Sequence, residues 1–384
     1  MRYRVRPRGR RPGLRSLRFV ASRGNSLMSL LSPSSPPIGG RYQIVRYVGA
    51  GGMQHVYEAQ DELFRRSVAL KVPKDSSGVR RFQSSAVVSA RVNHANVAKT
   101  LDYVEDGTGN YLIEEFVDGA DLGKVVPDEV PILPPSTVAK IFQQLAKGLA
   151  ASHHAGVIHR DLKPSNIMVL GGHHFSGIKI TDFGIAKMAE AEIGHGIGPR
   201  GNTTSKTVIG AIPYMAPESI TDFKNASFAS DVWAIAAIMY ELLSGKQPFG
   251  QGLLSVPNIL NAVPPPPPQQ IAGAQFKSLG EEIMAIILSC FAKNGADRPT
   301  ADQLCTTLDG LCFSVDAYEL GTINHKQSMT VGFITADHGP SVMYHTASFY
   351  GGASVSVGDR VWFARHPGKP SPRAFPLVKV PLKP

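Results

Sequence analysis

The alternation of apolar and polar residues divides the chain into β-rich and helix-rich stretches. From Arg41 onward, the short runs RYQIVRYV, HVYEAQ and SVALKV alternate and contain β-branched residues, which predicts strands. Apolar residues then recur every three to four positions over 136–155, 229–244 and 279–291, which predicts helices. After Cys312 the pattern returns to short β-like runs broken by Gly, Asp and Pro. We therefore expect a β-rich region, a helical region and a second small β-rich domain.

Two segments of biased composition separate these regions. Residues 29–40 (SLLSPSSPPIGG) are rich in Ser, Pro and Gly and predict a linker. The five consecutive prolines at 264–268 predict a polyproline segment, which is either a rigid connection between two helices or a ligand for an SH3-like groove. No apolar stretch reaches the roughly 18–20 residues needed to span a bilayer. Three cysteines without a CxxC pair exclude a disulfide scaffold, and we expect a cytoplasmic protein without a membrane span.

The net charge of +10 is concentrated at the start of the chain. Residues 1–27 hold nine arginines and no acid, and the rest of the chain, with 31 basic and 30 acidic side chains, is nearly neutral. This stretch either binds polyanions or is an upstream extension with Met28 as the true start, and both interpretations stay open. We expect residues 1–40 to form a basic, Ser/Pro-rich disordered tail.

A glycine-rich run, GAGGMQHV at 49–56, lies between two predicted strands. Glycines let backbone N–H groups approach phosphates without a Cβ clash. Twenty-two residues after Gly49, the strand VALK ends in Lys71, whose ammonium can pair with phosphate oxygens. Taken alone, the two features are equally consistent with a tight turn and a surface lysine.

The segment HRDLKPSN at 159–166 places Asp161, Lys163 and Asn166 in one short loop. A carboxylate can orient a hydroxyl nucleophile, an ammonium can meet a transferring phosphoryl group, and an amide can hold Mg²⁺. The later run IKITDFG adds Asp182 as a second metal-binding group at the end of a strand. These residue types in this order predict phosphoryl-transfer chemistry.

The full set of motifs, completed by YMAPE at 214–218 and SDVWAIAAIMYELLSGKQPF at 230–249, resembles the eukaryotic-like Ser/Thr protein kinases. Within that family it is most similar to the bacterial members with a GxGGMxxVY loop. The resemblance covers about residues 41–311 and implies an α+β, bilobal protein kinase domain with a β-rich N-lobe and a helical C-lobe. It also implies a protein-serine/threonine kinase that uses ATP and Mg²⁺ and phosphorylates hydroxyls of an unidentified protein substrate.

The resemblance assigns roles to individual residues. Asp161 would be the catalytic base, Lys163 would stabilise the transferring phosphate, and Lys71 would hold the α- and β-phosphates. Asn166 and Asp182 would bind Mg²⁺. The nucleotide site would comprise residues of the glycine-rich loop, the lysine strand and the hinge: Val48, Gly49, Ala50, Gly51, Gly52, Val56, Ala69, Lys71, Glu115 and Val117.

The resemblance also implies structural supports and a regulatory segment. Glu218 and Arg298 would form a buried ion pair in the C-lobe, and Asp231 would brace the loop at 159–166. A further group is regulatory in the family: Arg160 before the catalytic Asp, and Thr203 and Ser205, which match the autophosphorylated pair by their spacing from Gly210. We therefore expect control by autophosphorylation of the activation loop, which adds negative charge for Arg160 to pair.

Three positions depart from the family pattern. Gln54 replaces the third glycine of the glycine-rich loop, and Ala211 replaces a threonine that touches the catalytic Asp in the family. Ser85 stands where the helix glutamate that pairs with the lysine belongs, and no Asp or Glu occurs anywhere from 76 to 101. A pseudokinase scaffold that lacks the usual Lys–Glu pair is therefore the alternative to an active kinase.

Glu114 is a fourth departure, because the family normally has an apolar gatekeeper residue at this position. A carboxylate at the back of a nucleotide pocket is costly unless it is paired. In the resembled fold the nearest cation is Lys71 on the adjacent strand. We therefore expect Glu114 to be a relocated partner of Lys71, with independent drift at Glu114 and Ser85 as the alternative.

Residues 317–381 resemble a cold-shock domain, a small OB-type β-barrel. The resemblance is carried by four runs: GTIN (321–324), VGFITADHG (331–339), SVMYHTASF (341–349) and VGDRVWFA (357–364). Phe333 and His345 keep the family's positions, whereas His325 replaces the usual Trp. Because aromatic side chains of that family stack on single-stranded bases, the resemblance implies weak single-stranded nucleic-acid binding. The alternatives are a barrel kept for folding or protein contacts, and a nucleic-acid-binding regulatory protein.

Overall fold

The described chain contains a five-stranded sheet, a three-stranded sheet and a closed five-stranded barrel. The structure is a computed structural model, and it describes residues 31–50, 54–74, 79–183, 206–352 and 354–381. The first sheet is antiparallel with the order β1-β2-β3-β5-β4. Its strands are β1 (Tyr42–Ala50), β2 (Gln54–Asp61), β3 (Arg66–Pro73), β4 (Thr100–Asp106) and β5 (Gly109–Glu115), and α1 (Val79–Ser89) packs beside β4 and β5.

The tail prediction is wrong for its last residues, because the chain packs on the first sheet before β1 begins. Ile38 is only 4% exposed and belongs to the hydrophobic cluster of this sheet. The backbone N–H of Leu31 donates to the Tyr57 hydroxyl at 3.3 Å, and that of Gly39 donates to Asp106 at 3.1 Å. One buried isoleucine thus anchors a segment whose composition alone indicates a linker.

A small three-stranded sheet holds the two loops that contain the predicted catalytic and metal-binding residues. It consists of β6 (Gly119–Asp121), β7 (Ile167–Leu170) and β8 (Gly177–Ile180), paired antiparallel in that order. The loop at 159–166 leads into β7, and Asp182 follows β8. Because β7 and β8 are antiparallel neighbours, the start of β7 lies beside the end of β8. The two polar segments therefore meet at the same end of this sheet.

Helices form the C-lobe around one long buried helix. The helices after α1 are α2 (Leu122–Asp128), α3 (Pro135–His154), α4 (Lys206–Ala211), α5 (Pro217–Thr221), α6 (Phe228–Ser244), α7 (Val256–Leu260), α8 (Lys277–Cys290) and α9 (Ala301–Asp309). Helix α6 is mostly apolar and buried along most of its length, which is typical of a central helix, and it contacts α3 and α8. The predicted bilobal fold with a β-rich N-lobe and a helical C-lobe is confirmed.

The polyproline segment forms a packed connection between α7 and α8. Pro265 and Pro268, three residues apart as in one turn of a polyproline helix, are buried. The hydroxyl of Tyr240 on α6 donates to the carbonyl of Pro266 at 2.8 Å. The segment therefore fixes the position of α8 against the central helix.

The C-terminal residues form a closed barrel with the strand order β10-β11-β13-β12-β9, which confirms the predicted OB-type barrel. The strands are β9 (Tyr318–Lys326), β10 (Val331–Ala336), β11 (Val342–His345), β12 (Arg360–His366) and β13 (Arg373–Lys379). The last strand was not among the predicted β-like runs, because prolines at 372 and 376 interrupt its pattern. It closes the barrel by pairing antiparallel with β12 and parallel with β11.

The outer face of β9 and β12 packs against the C-lobe. Tyr318 and Trp362 stack with ring centroids 3.7 Å apart, and the Trp362 indole donates to the carbonyl of His173 at 2.7 Å. The Tyr350 hydroxyl donates to the carbonyl of Leu243 at the end of α6 at 2.6 Å. These aromatic residues belong to the same hydrophobic cluster as the C-lobe core. Among the described residues, no helix is both long and apolar enough to cross a membrane.

Candidate active site

Asp231 in the first turn of α6 holds the loop at 159–166 in place. The side chain of Asp231 accepts the backbone N–H of His159 at 2.8 Å and that of Arg160 at 2.9 Å. Arg160 has a left-handed backbone with φ of 69°, which costs a non-glycine residue about 1–3 kcal/mol. Two hydrogen bonds to a carboxylate that is only 1% exposed compensate for this strain.

Asp161, Lys163 and Asn166 lie together at the top of this loop. The Lys163 ammonium is 2.7 Å from Asp161 Oδ2. The Asn166 amide nitrogen donates to the Asp161 carbonyl at 2.7 Å and to Oδ2 at 3.2 Å. Since its nitrogen is used in this way, Asn166 keeps its amide oxygen for a ligand. No described side chain donates to Asp161 Oδ1, which leaves this atom as a proton acceptor.

Asp182 projects from the chain just after β8. Its backbone is left-handed with φ of 63°, and the next residue, Phe183, is buried against the ring of His159 with centroids 4.6 Å apart. His159 Nε2 donates to the carbonyl of Thr181 at 2.8 Å. These contacts tie the segment after β8 to the loop at 159–166 and bring Asp182 toward Asn166.

Lys71 lies between two carboxylates. Its ammonium is 2.5 Å from Glu114 Oε2 and 2.5 Å from Asp182 Oδ1. The sheet explains the first contact, because Ala69 pairs with Glu114 and Lys71 is two residues further along β3. Lys71 and Glu114 are therefore diagonal neighbours on one face of the sheet, a separation that long side chains can bridge.

Burial and charge act in opposition on these three groups. Burial disfavours the charged form of Lys71, but the carboxylates of Asp182 and Glu114 outweigh it and raise the lysine pKa. Burial also pushes the pKa of Asp182 upward, yet the Lys71 ammonium outweighs it and lowers that pKa. Burial raises the pKa of Glu114 above its ordinary value, with a partial offset from Lys71. Lys71 is thus a protonated ammonium beside an ionised Asp182.

Helix α1 supplies no carboxylate to this cluster. Ser85, the residue at the family's glutamate position, is buried on α1, and the helix sequence VRRFQSSAVVS contains no acid. The anionic group that contacts Lys71 from the N-lobe comes from β5 instead of from the helix.

Gln54 also reaches into the cluster, a contact that no local sequence pattern indicates. It is 5% exposed, and its amide nitrogen donates to Asp182 Oδ1 at 3.0 Å. Its amide oxygen is buried and has no hydrogen-bond partner within the described part of the chain. A separation of 128 residues left no local signal for this contact.

The predicted nucleotide-binding residues that the structure describes lie on neighbouring strands of the first sheet and at the end of β5. Strand register places Gly49 opposite Val56 and Val56 opposite Lys71, so three strands present these residues in one row. At the end of β5, Glu115 accepts from the Lys179 ammonium at 3.0 Å, and Val117 is buried. The other described residues of this predicted set are Val48 and Ala50 on β1 and Ala69 on β3. Gly51, Gly52, Thr203 and Ser205 lie outside the described residues.

The residues present fit a nucleotide with a divalent metal. Carboxylate and amide oxygens, as in Asp182 and Asn166, are the ligands that hard divalent cations prefer. The described residues contain no group of three His, Cys, Asp or Glu side chains that could hold a metal by themselves. Two protein ligands, Asp182 and Asn166, are the donor set expected where phosphates and water supply the rest of the coordination shell. The unpartnered oxygen of Gln54 likewise calls for a donor that arrives with a ligand.

A second ion pair stabilises the C-lobe below the site. Arg298 donates to both carboxylate oxygens of Glu218 at 2.7 and 2.9 Å and lies over the Trp233 ring at 5.0 Å. Burial pushes the pKa of Glu218 upward, but the hydrogen bonds from Arg298 outweigh it and hold that pKa below its ordinary value.

The chain is similar to known kinases over most of its length. The family described as protein kinase domain matches residues 42–308. The chain is 34% identical over 285 residues to the probable serine/threonine-protein kinase PknB of Corynebacterium glutamicum, covering 71% of this chain and 42% of that protein. It is 37% identical over 248 residues to the serine/threonine-protein kinase PknA of Mycobacterium tuberculosis, covering 61% of this chain and 54% of that protein.

A third relative is the serine/threonine-protein kinase PrkC of Bacillus subtilis, which is 33% identical over 226 residues, covering 57% of this chain and 33% of that protein. The chain thus spans between a third and about half the length of these relatives. The family match covers more than half of the chain and includes every residue placed in the cleft above. The chain belongs to the protein kinase family.

Proposed function

We propose that this protein is a bacterial-type Ser/Thr protein kinase that transfers the γ-phosphate of ATP to Ser or Thr hydroxyls of a protein substrate. The observation that carries the proposal is the convergence of Lys71, Asp161, Lys163, Asn166 and Asp182 on one cleft. Relatives named as serine/threonine-protein kinases support the same function. The three cysteines of the chain are unpaired, which supports the reducing cytoplasm as its location.

Each polar residue of the cleft has a defined task in this reaction. Asp161 accepts the proton of the attacking hydroxyl as the new O–P bond forms and the bond to ADP breaks. Lys163, 2.7 Å from Asp161, offsets the negative charge that develops on the transferred group. Lys71 holds the nucleotide phosphates, and Asn166 and Asp182 provide oxygen ligands for Mg²⁺. Bound Mg²⁺ neutralises phosphate charge.

Transfer of radiolabelled phosphate from ATP tests this function directly. We expect the wild type with Mg²⁺ to label itself or a general protein substrate, and Asp161→Asn and Asp182→Asn to abolish labelling while remaining folded. Asp302→Asn, an exposed carboxylate in the C-lobe, serves as the control and should leave labelling unchanged. Near-normal transfer by either cleft variant, or none by the wild type, contradicts the proposal and favours a pseudokinase scaffold.

We further propose that phosphorylation of the segment 185–213 regulates the kinase. Arg160 precedes the proposed base, and Thr203 and Ser205 have the spacing of an autophosphorylated pair. Phosphate there would provide negative charge for Arg160 to bind. Mass spectrometry of the purified protein after incubation with Mg-ATP should find phosphate mainly at these two residues. Phosphate found only outside 185–213 would argue against this regulation.

The free face of the barrel favours a second candidate function, weak binding of single-stranded nucleic acid. His325 and Phe333 lie side by side on the paired strands β9 and β10, with ring centroids 6.5 Å apart and planes 20° apart. The guanidinium of Arg373 contacts the Met343 sulfur on the adjacent strand at 2.6 Å. One aromatic pair beside a cation provides a small stacking surface.

Salt-dependent binding of a single-stranded RNA oligonucleotide tests this second function. We expect weak binding that Phe333→Ala abolishes, with Val357→Ala, an exposed apolar residue elsewhere on the barrel, as the unchanged control. Deletion of 317–384 should also remove it. Undiminished binding by that deletion would assign the activity to the arginine-rich segment instead.

A further inference from the structure

Gln54 connects the glycine-rich loop to the segment that carries the proposed metal ligand. It is the first residue of β2, and its buried side chain crosses the cleft to donate from Nε2 to Asp182 Oδ1 at 3.0 Å. A glycine, the residue that the family pattern has at this position, has no side chain to make this contact. The contact is therefore a property of this chain's own departure from the pattern.

The contact determines how the Asp182 carboxylate is presented. Oδ1 accepts from both Gln54 and Lys71, and no described residue donates to Oδ2. Two donors on one oxygen fix the carboxylate's rotation and leave the second oxygen for a cation. The left-handed backbone of Asp182, with φ of 63°, persists only where surrounding interactions hold it. Lys71 alone is a weaker restraint, because its ammonium is shared with Glu114.

The orientation of the Gln54 amide follows from the Asp182 carboxylate beside it. The reverse orientation would place the amide oxygen against the carboxylate of Asp182, where two acceptors repel. With the nitrogen on Asp182, the amide oxygen is buried without a partner among the described residues. Leaving a buried acceptor unsatisfied is costly, so this atom indicates a donor supplied with the ligand, such as a metal-bound water.

We propose that Gln54 is a positioning residue that orients the Asp182 carboxylate toward the divalent metal of the metal–nucleotide complex. The inference rests on the proposed kinase function and adds to it a residue that acts through Asp182. It implies that losing the Gln54 amide weakens metal binding more than it weakens binding of the nucleotide alone.

Metal binding separates this role from a general effect on the glycine-rich loop. Mn²⁺ affinity is measured by electron paramagnetic resonance with a saturating non-hydrolysable ATP analogue, and affinity for the same analogue is measured in EDTA. The variants are Gln54→Met, which keeps the side-chain length but removes the amide, and Gln60→Met at the opposite end of β2 as the matched control. We expect Gln54→Met to bind Mn²⁺ about tenfold more weakly, with metal-free affinity unchanged. Gln60→Met should match the wild type in both measurements.

Three results would overturn the proposal in distinguishable ways. Equal Mn²⁺ affinities for Gln54→Met and Gln60→Met would show that Gln54 does not orient Asp182. Equal losses of Mn²⁺ and of metal-free nucleotide affinity would assign Gln54 to the shape of the loop instead. Absence of any Mn²⁺–nucleotide binding by the wild type would remove the proposed kinase function together with this inference. Gln54→Ala gives the same readouts should Gln54→Met not fold.

Discussion

Two side chains on adjacent strands, Lys71 and Glu114, show how a charge pair can move within a fold. The helix glutamate that pairs with this lysine in the family has no counterpart here, since Ser85 occupies its position on α1. Glu114 on β5 is instead a diagonal neighbour of Lys71 and contacts its ammonium at 2.5 Å. Both side chains are 6% exposed, so the Glu114 carboxylate would be a costly unpaired charge without Lys71.

We expect Glu114→Gln to weaken ATP binding or turnover by about tenfold or more, which corresponds to about 1.4 kcal/mol. The amide carries no charge, so Lys71 loses the partner that stays available when Asp182 binds metal. Calorimetric ATP affinity and phosphate transfer measure the effect, with Glu105→Gln on the exposed side of β4 as the control.

Returning the carboxylate to the helix provides the complementary test. The double variant Glu114→Met with Ser85→Glu should recover much of the activity lost in Glu114→Gln, because it moves the pair from β5 to α1. If Glu114→Gln behaves like the wild type, the relocated pair has no role in activity. If the double variant remains as inactive as Glu114→Gln, the helix cannot present a carboxylate to Lys71.

The Arg298–Glu218 pair predicts a pH-dependent contribution to stability. Arg298→Met leaves a partly buried carboxylate without its partner, and we expect a loss of about 3 kcal/mol at pH 7. Because the folded pKa of Glu218 is lowered, the pair stabilises the fold fully above the ordinary Glu pKa. This stabilisation is lost as the pH falls through the lowered pKa, so the difference from the wild type should shrink in acid.

Urea unfolding at pH 7 and at about pH 3, below the ordinary Glu pKa, measures this dependence. Lys277→Met removes the exposed pair with Glu281, whose charged atoms are 3.8 Å apart, and should cost less than about 1 kcal/mol at either pH. A loss from Arg298→Met that is the same at both pH values would show that packing on Trp233, and not the charge, is what Arg298 contributes.

At the scale of secondary structure, periodicity located the long helices well. The predicted helices at 136–155, 229–244 and 279–291 correspond to Pro135–His154, Phe228–Ser244 and Lys277–Cys290. Their apolar spacing is a local property and is therefore visible in the sequence. Strand β13 is not predicted, because Pro372 just before it and Pro376 within it interrupt the alternation on which strand prediction depends.

The same limit applies to the site. The motif order predicts Lys71, Asp161 and Asp182 as site residues, because each lies in a recognisable run of neighbours. The contact from Gln54 to Asp182 and the anchoring of Ile38 depend on residues far apart in the chain, so no local pattern encodes them. Residue type is visible in the sequence, whereas non-local packing is not.

Helix α6 positions the loop at 159–166 through one side chain, which makes Asp231 a test of this element's role. Asp231→Asn keeps the size of the side chain, but its amide nitrogen faces a backbone N–H that now has no acceptor. We expect phosphate transfer to fall about a hundredfold through misplacement of Asp161, with little change in ATP affinity. Separate measurement of kcat and ATP affinity checks this, and a kcat within twofold of the wild type would show that α6 does not position the loop.

At the scale of the whole molecule, the barrel and the C-lobe share a hydrophobic core. Alternation along β12 sends Val361 and Phe363 into the barrel interior, while Trp362 and Ala364 join the C-lobe cluster. The barrel thus presents one apolar face to the C-lobe and leaves the face with Phe333 free. Such a shared core couples the unfolding of the two parts, since neither can open without exposing the aromatic residues between them.

Trp362→Ala should uncouple the unfolding of the barrel from that of the C-lobe. The substitution removes the stack on Tyr318, leaves a cavity and loses the hydrogen bond from the indole to the His173 carbonyl, for an expected loss of about 3–5 kcal/mol. We expect the wild type to unfold in urea in one transition, and Trp362→Ala to unfold in two, with the barrel opening first. Phe333→Ala on the free face is the matched aromatic control and should keep a single transition at nearly unchanged urea concentration. One transition in Trp362→Ala with stability like that of Phe333→Ala would mean that the barrel is held to the C-lobe without this contact.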